Sequence, residues 1–161
     1  MFLGHVPRET PVPDRVRALA GNDTLKPVWR NQLDGVTFRA SGPVSARFIK
    51  YGPRNAETTM AGEAQRLEWA RHWVSVPQVL DVGANDTHEW LVPAALPGCS
   101  ALDPHWIADP ETAVTAVDVA LRVLHDSLPG GTCPFDWGVP ARIRNASWTR
   151  NHYRRPGTTT D

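Results

Sequence analysis

Ser45-Ala46-Arg47-Phe48-Ile49-Lys50-Tyr51-Gly52, followed downstream by Glu63-Ala64-Gln65-Arg66-Leu67-Glu68-Trp69-Ala70, is the part of the chain from which the fold can be read. The first run reads as a β-strand that ends in a lysine. Side chains alternate along a strand, so Phe48 and Lys50 share one face while Arg47 and Ile49 share the other. A lysine on a packed strand face needs an anion, either a carboxylate on a following helix or a bound phosphate. In the second run Ala64, Leu67 and Trp69-Ala70 form a helical apolar stripe, with Glu63 at its start. A strand-terminal lysine alone is usually a solvated edge charge whose stem lies along its neighbours. The surrounding sequence therefore has to decide its role.

At 161 residues the chain fits a single domain, or one lobe and part of another from something larger. A hydrophobic share of 41% with seven tryptophans is a globular composition. The net charge of zero hides an asymmetry: five of the 17 Lys+Arg residues but only one of the 17 Asp+Glu residues lie from Gly138 to Asp161. The body is mildly acidic and the tail basic. Five arginines with no accompanying fold motif read as a solvated terminus, so no nucleic-acid partner is expected. Cys99 and Cys133 lie in no Cys-x-x-Cys pattern and have no paired histidines at ligand spacing. The sequence thus predicts two ordinary thiols, no disulfide and no metal site. Met1 to His5 is too short, and too soon broken by Pro7, Arg8 and Glu9, to read as a signal peptide. No apolar run approaches membrane-spanning length, and the expectation is a cytoplasmic protein with no membrane partner.

Around the central strand, Asp14 to Gly21 reads as a short helix with an Asp N-cap and a Gly stop. Leu25 to Arg30 and Val36 to Ser41 read as a hairpin whose turn carries Asp34-Gly35. Gly52-Pro53 ends the third strand, Asn55 or Thr59 can cap the helix running toward Trp73, and Val76-Pro77 breaks the chain again. Gln78 to Gly83 and Glu89 to Leu96 read as two more strands around Ala84-Asn85-Asp86-Thr87. Pro93 cannot donate to a ladder, so the fifth strand should lie at an edge or stop pairing there. Asp103 to Asp109 looks helical. Pro110 then opens a long helix, Glu111 to Leu128, whose Val114, Val117, Leu121, Leu124 and Leu128 recur at helical intervals and call for a helical partner. The expected organisation is a lead-in at 1–23, a β-rich lobe at 24–96, a linker and the start of a helical lobe at 97–137, and a basic irregular tail at 138–161. The fold class is α+β, a five-stranded antiparallel sheet with one inserted helix.

Several blocks together resemble the N-terminal part of the aminoglycoside 3'-phosphotransferases, enzymes with a protein-kinase-like fold. They are Val28 to Arg39, Phe48-Ile49-Lys50, Glu63 to Trp69, Trp90-Leu91 through Leu96-Pro97-Gly98, Leu124-His125-Asp126, and Cys133-Pro134-Phe135-Asp136-Trp137. The resemblance implies ATP as the nucleotide, with Lys50 on its α- and β-phosphates and Glu63 holding Lys50 in place, the ion pair of kinases. It implies that the Ala94 carbonyl and the Leu96 amide bond the adenine edge, and that the hairpin lies over the phosphates with Gly35 allowing close backbone approach. His125 and Asp136 are read as architectural. The family's catalytic loop, His-Gly-Asp with an Asn five residues on, does not occur in the sequence, nor does the later Asp that binds Mg2+. The expectation is therefore a truncated or frame-shifted form, recognisable as a phosphotransferase but with little turnover, and with no catalytic residue or Mg2+ ligand of its own. Such a form would bind an aminoglycoside only if the helical lobe were completed. It could also self-associate through the exposed face of the long helix. The alternative is a non-catalytic nucleotide-binding or regulatory module.

Overall fold

The structure, a computed structural model, describes residues 10–55, 59–99, 103–136, 138–141 and 143. The expectations for Met1 to Glu9, and for the arginine-rich tail beyond Ile143, lie outside them.

The first element, α1 (Asp14–Ala20), begins one residue earlier than its sequence suggests. Pro13 occupies the N-cap, and Asp14 is the first helical residue. Its carboxylate there complements the helix dipole instead of capping a backbone N–H. Gly21 closes the helix at φ 60°, a conformation that suits glycine, and its N–H returns to the Arg17 carbonyl at 3.0 Å.

Strands β1 (Thr24–Arg30) and β2 (Val36–Ser41) form the expected antiparallel hairpin. The Asn31 side chain ties its turn: Oδ1 accepts the backbone N–H groups of Leu33 at 2.9 Å and Gly35 at 2.7 Å. Asp34, not Gly35, takes the left-handed conformation, at φ 60°. Gly35 is needed for a different reason. A Cβ built on Gly52 would lie 2.8 Å from the Gly35 Cα, and one built on Gly35 would strike the Asn31 amide at 2.7 Å. The turn and the third strand thus meet backbone to backbone.

That strand, β3 (Ala46–Pro53), runs two residues past Tyr51, because Gly52 and Pro53 still face Glu89 and His88 of a neighbouring strand. The inserted helix α2 (Met60–Ala70) follows, and then β4 (Val79–Ala84) and β5 (His88–Pro93). The five strands form one antiparallel sheet in the order β1-β2-β3-β5-β4. Of the two outcomes expected for Pro93, an edge strand or an end to pairing, the second is found: β5 sits between β3 and β4 and stops at Pro93, three residues short of Leu96, and among the described residues a single bridge, Arg47 to Ala94, continues it.

Helix α1 covers one face of the sheet, where Val16, Ala20, Phe38, Ala40, Ile49, Trp90 and Val92 form the main core. The better-buried side of β3 is therefore Ile49's, while Lys50 on the other side stays partly open. Arg47 shares Ile49's face and is not stranded there. Its Nη2 donates to the Leu19 and Ala20 carbonyls at 3.1 and 3.0 Å, and its Nη1 lies 2.7 Å from Asp23. One guanidinium thus satisfies the orphan carbonyls at the C-terminus of α1 and fastens that helix to the sheet. The opposite face carries α2, which packs over β4 and β5.

Beyond the sheet come α3 (Pro104–Ala108) and α4 (Pro110–Ser127). Asp109 caps α4 by accepting the Thr112 N–H at 3.2 Å. Its side-chain and backbone hydrogen bonds with Thr112 hold its carboxyl below the usual range. Helix α4 packs against α3, yet none of its residues is buried, and Val114, Val117 and Leu121 are exposed. The helical partner its apolar stripe calls for is thus only partly supplied among the described residues. The Cys133-Pro134-Phe135-Asp136 block returns to the inserted helix: the Phe135 ring meets Trp69 edge-on at 5.9 Å, and the Arg66 guanidinium lies over it at 5.2 Å. Residues 139–141, at the start of the segment expected to be irregular, are helical.

Candidate functional site

The site is assembled where the hairpin, β3 and the start of α2 converge. Two side chains fix the first turn of α2. Thr59, the second of the two cap candidates, accepts the Gly62 N–H at 2.9 Å. Glu89 of β5 accepts the Met60 N–H at 3.0 Å. Glu89 is only 6% exposed, the one buried charged residue in the described core, and its carboxylate is held by the N-terminal dipole of α2. With its first turn anchored at both points, α2 presents Glu63 toward the sheet.

Lys50, opposite Thr37 of β2 and Leu91 of β5, donates through Nζ to Glu63 Oε1. The two side chains are 34% and 41% exposed. The pair is therefore neither sealed in the core nor free in solvent. It lies on the floor of a cleft of about 430 Å3, walled by Asn31, Gly35 and Thr37 on the hairpin side and by Met60 and Arg66 on the helix side. Lys50 and Arg66 bring positive charge, and among the described residues the one carboxylate lining the cleft, Glu63, is already engaged by Lys50. This is an anion-accepting arrangement, in which a bound anion could share the ammonium with Glu63.

The structure thus brings Lys50, Glu63 and Gly35 together. It does not place Ala94 and Leu96 in the same cleft. Ala94 lies beside Arg47, three residues back along β3, a strand distance of about 10 Å. The Ala94 N–H goes to the Gln78 carbonyl at 2.8 Å and the Ala95 N–H to the Ala46 carbonyl at 3.0 Å. Among the described backbone hydrogen bonds, the Ala94 carbonyl and the Leu96 N–H take no part.

No family model matches the chain. Comparison with curated proteins finds an aminoglycoside 3'-phosphotransferase of Streptomyces ribosidificus, 42% identical over 104 residues, a match covering 62% of this chain and 39% of that protein. One from Streptomyces fradiae is 39% identical over 103 residues, covering 63% of this chain and 38% of that protein. Among solved structures, an aminoglycoside-3'-phosphotransferase of type VIII superposes with a TM-score of 0.66 at 29% identity, over 86% of this chain and 53% of its own. Over the part it covers, this chain is similar to aminoglycoside 3'-phosphotransferases. It spans about two fifths of the length of those curated relatives. The α+β, kinase-like architecture expected from the sequence is the one found.

Sequence reading did not find every residue that shapes the cleft. Glu89, Asn31, Thr37 and Arg66 all shape it, and none stood out in the sequence. Asn31 had the clearest signal, an Asn opening a turn that closes in Asp-Gly. Asp136 accepts the Gly138 N–H at 2.8 Å. His125 stands exposed in the last turn of α4. No helix among the described residues is long and apolar enough to cross a membrane.

Proposed function

We propose that residues 24–96 are the nucleotide-binding lobe of an aminoglycoside phosphotransferase, and that 97–137 are the linker and opening helices of its second lobe. The observation that carries this reading is the Lys50–Glu63 pair on the floor of a cleft under a tied hairpin. In this arrangement Lys50 binds the α- and β-phosphates of ATP, Glu63 keeps the ammonium aimed into the cleft, and the Gly35 turn closes over the phosphates. The Ala94 carbonyl and Leu96 N–H, outside the backbone hydrogen bonds of the described residues and one short stretch of strand away, take the adenine edge. A nucleoside would bridge the distance between the two groups. The acceptor is an aminoglycoside hydroxyl, bound where a completed helical lobe supplies its acidic groups.

Mg2+ requires oxygen ligands with room for its waters. Among the described residues the cleft's carboxylate is engaged by Lys50, and nearby Glu89 is buried on Met60. These described residues do not fit a Mg2+ site, and what they offer phosphate charge is Lys50, with Arg66 beside it in the cleft lining. The 161 residues also lack the His-Gly-Asp loop. The second reading is a module that binds nucleotide without transferring phosphate.

The test is titration of the purified chain with ATP and ADP by calorimetry, with a phosphotransfer assay on kanamycin and neomycin alongside. Saturable one-site nucleotide binding with no turnover above background is expected. Absence of nucleotide binding would overturn the proposal, and turnover would show that groups outside those named perform the chemistry.

A further inference from the structure

Cys99, Asp103 and His105 bring a thiol, a carboxylate and an imidazole together where the chain has left the sheet. Their donor atoms all lie within 4.8 Å of one another. None of the three lines the nucleotide cleft. Asp103 caps α3 and its Oδ1 lies 2.9 Å from His105 Nδ1, so carboxylate and ring already converge on one point. The neighbouring Trp106 donates its indole N–H to Cys99 Sγ at 3.3 Å, which holds the sulfur against the same turn. Two donors are thus set by the first turn of α3, and the third is drawn to them by an indole.

We infer that Cys99, Asp103 and His105 form a binding site for zinc or a similar borderline transition-metal ion, with water or an outside donor in the fourth position. Thiolate and imidazole together select such ions over Mg2+ and Ca2+, which require all-oxygen shells. Zinc bonds of about 2.0–2.3 Å place tetrahedral donor atoms roughly 3.3–3.8 Å apart. Cys99 and His105 are exposed and Asp103 is half-buried, and the donor atoms, which lie within 4.8 Å of one another, have to draw in by about 1 Å to share an ion. The ion takes the place of the proton between His105 and Asp103, the imidazole then carrying its single proton on Nε2, and it displaces the Cys99 thiol proton to solvent.

Cys99 and Trp106 also line a cavity of about 200 Å3 against Ala113, Ala116 and Val117 of α4. A metal here staples the segment that follows Leu96 to α3, and through Trp106 to α4. It fixes the connection between the sheet and the long helix. The sequence had predicted two ordinary thiols. Cys-x3-Asp-x-His lies outside the paired spacings by which zinc sites are usually found, and only the turn at Asp103 makes it compact.

The experiment is titration of the metal-free full chain with Co2+, followed by the near-ultraviolet charge-transfer band that reports a thiolate–cobalt bond. One equivalent should bind with that band, and Zn2+ but not Mg2+ should displace it. Cys99→Ser should abolish the band, and Asp103→Asn and His105→Ala should each weaken binding by at least about tenfold. Cys133→Ser should change neither band nor affinity. Cys99→His keeps a metal donor and should bind Co2+ without the sulfur band, which separates ligand loss from misfolding. No thiolate band in the parent chain, a band that survives Cys99→Ser, or one that Cys133→Ser removes would each overturn the inference.

Discussion

Lys50→Met separates a lysine that holds the fold from one that holds a ligand. The methionine keeps most of the aliphatic stem and removes the charge. In the structure the ammonium and its Glu63 partner are 34% and 41% exposed, so their mutual attraction is screened as in a surface pair. Removing it should cost about 0–1 kcal/mol of stability. A phosphate that takes the same ammonium makes a charge-assisted hydrogen bond worth about 1.5–3 kcal/mol. At 1.4 kcal/mol per decade, the variant's Kd for ADP should rise roughly 10- to 150-fold. Calorimetry at one fixed ionic strength measures the binding, and a thermal melt of the same samples measures the stability. Adenosine is the internal control: it has no phosphate, and its affinity should not change.

Glu63→Gln completes the experiment. Glu63 acts on the nucleotide only by aiming Lys50, so its loss should weaken ADP binding by about two- to fivefold. In the double variant the Glu63 change should add nothing to Lys50→Met. The opposite pattern would refute the reasoning: an unchanged ADP affinity in Lys50→Met together with a melting point lowered by more than about 1 kcal/mol implies. The pair would then be a brace between β3 and α2, and the cleft above it would be empty of meaning for nucleotides.

Three further outcomes follow from the same geometry. Glu89→Ala leaves the Met60 N–H without its partner next to a carboxylate site that is 6% exposed, and should destabilise the chain by about 1–3 kcal/mol, read as a lower melting temperature; an unchanged melt would mean that water replaces the carboxylate. The Asp109 carboxyl has a folded pKa held below 3.8 by its hydrogen bonds with Thr112, so its support of α4 is complete above 3.8 and is lost as pH falls through the lower folded value; helical circular dichroism should fall in that acid window in the parent chain and less so in Asp109→Ala. The open stripe of α4 should bind a hydrophobic dye or a second copy of the chain, and Val117→Glu with Leu121→Glu should abolish either signal in fluorescence and light scattering; dye binding that survives both changes would place the exposed apolar surface elsewhere.

What was legible in the sequence had local causes. The hairpin came from Asp34-Gly35 between two apolar runs, α2 from Thr59 followed by a helical stripe, and α4 from Pro110 with a three- and four-residue period. Even the Lys50–Glu63 pair follows from one strand end and one helix start, because both lie on adjacent elements. What could not be read depends on residues far apart in the chain. Arg47 reaches back to the Leu19 and Ala20 carbonyls, and Glu89 reaches back to Met60. Neither has a signature in its own neighbourhood; each looks like an ordinary charge in a strand. The helices they anchor were visible, but the anchors were not.

Pro93 shows which branch of an either-or expectation the sheet takes. A proline inside a strand pattern argued for an edge or for an end to pairing, and β5 has a neighbour on each side. The sheet tolerates Pro93 because it is the last residue of the strand, where the missing N–H ends pairing instead of leaving a gap in a ladder. The next two amides still find carbonyls, that of Gln78 just before β4 and that of Ala46 at the start of β3. Among the described backbone hydrogen bonds the Ala94 carbonyl and Leu96 N–H then take no part. A proline one residue earlier would have broken the β4 pairing, and one at Ala94 or Ala95 would have removed a donor that holds the segment in place. On the proposed reading, the residue that looks like a flaw in the fifth strand is what ends the sheet at the place where backbone groups must be left available to a purine.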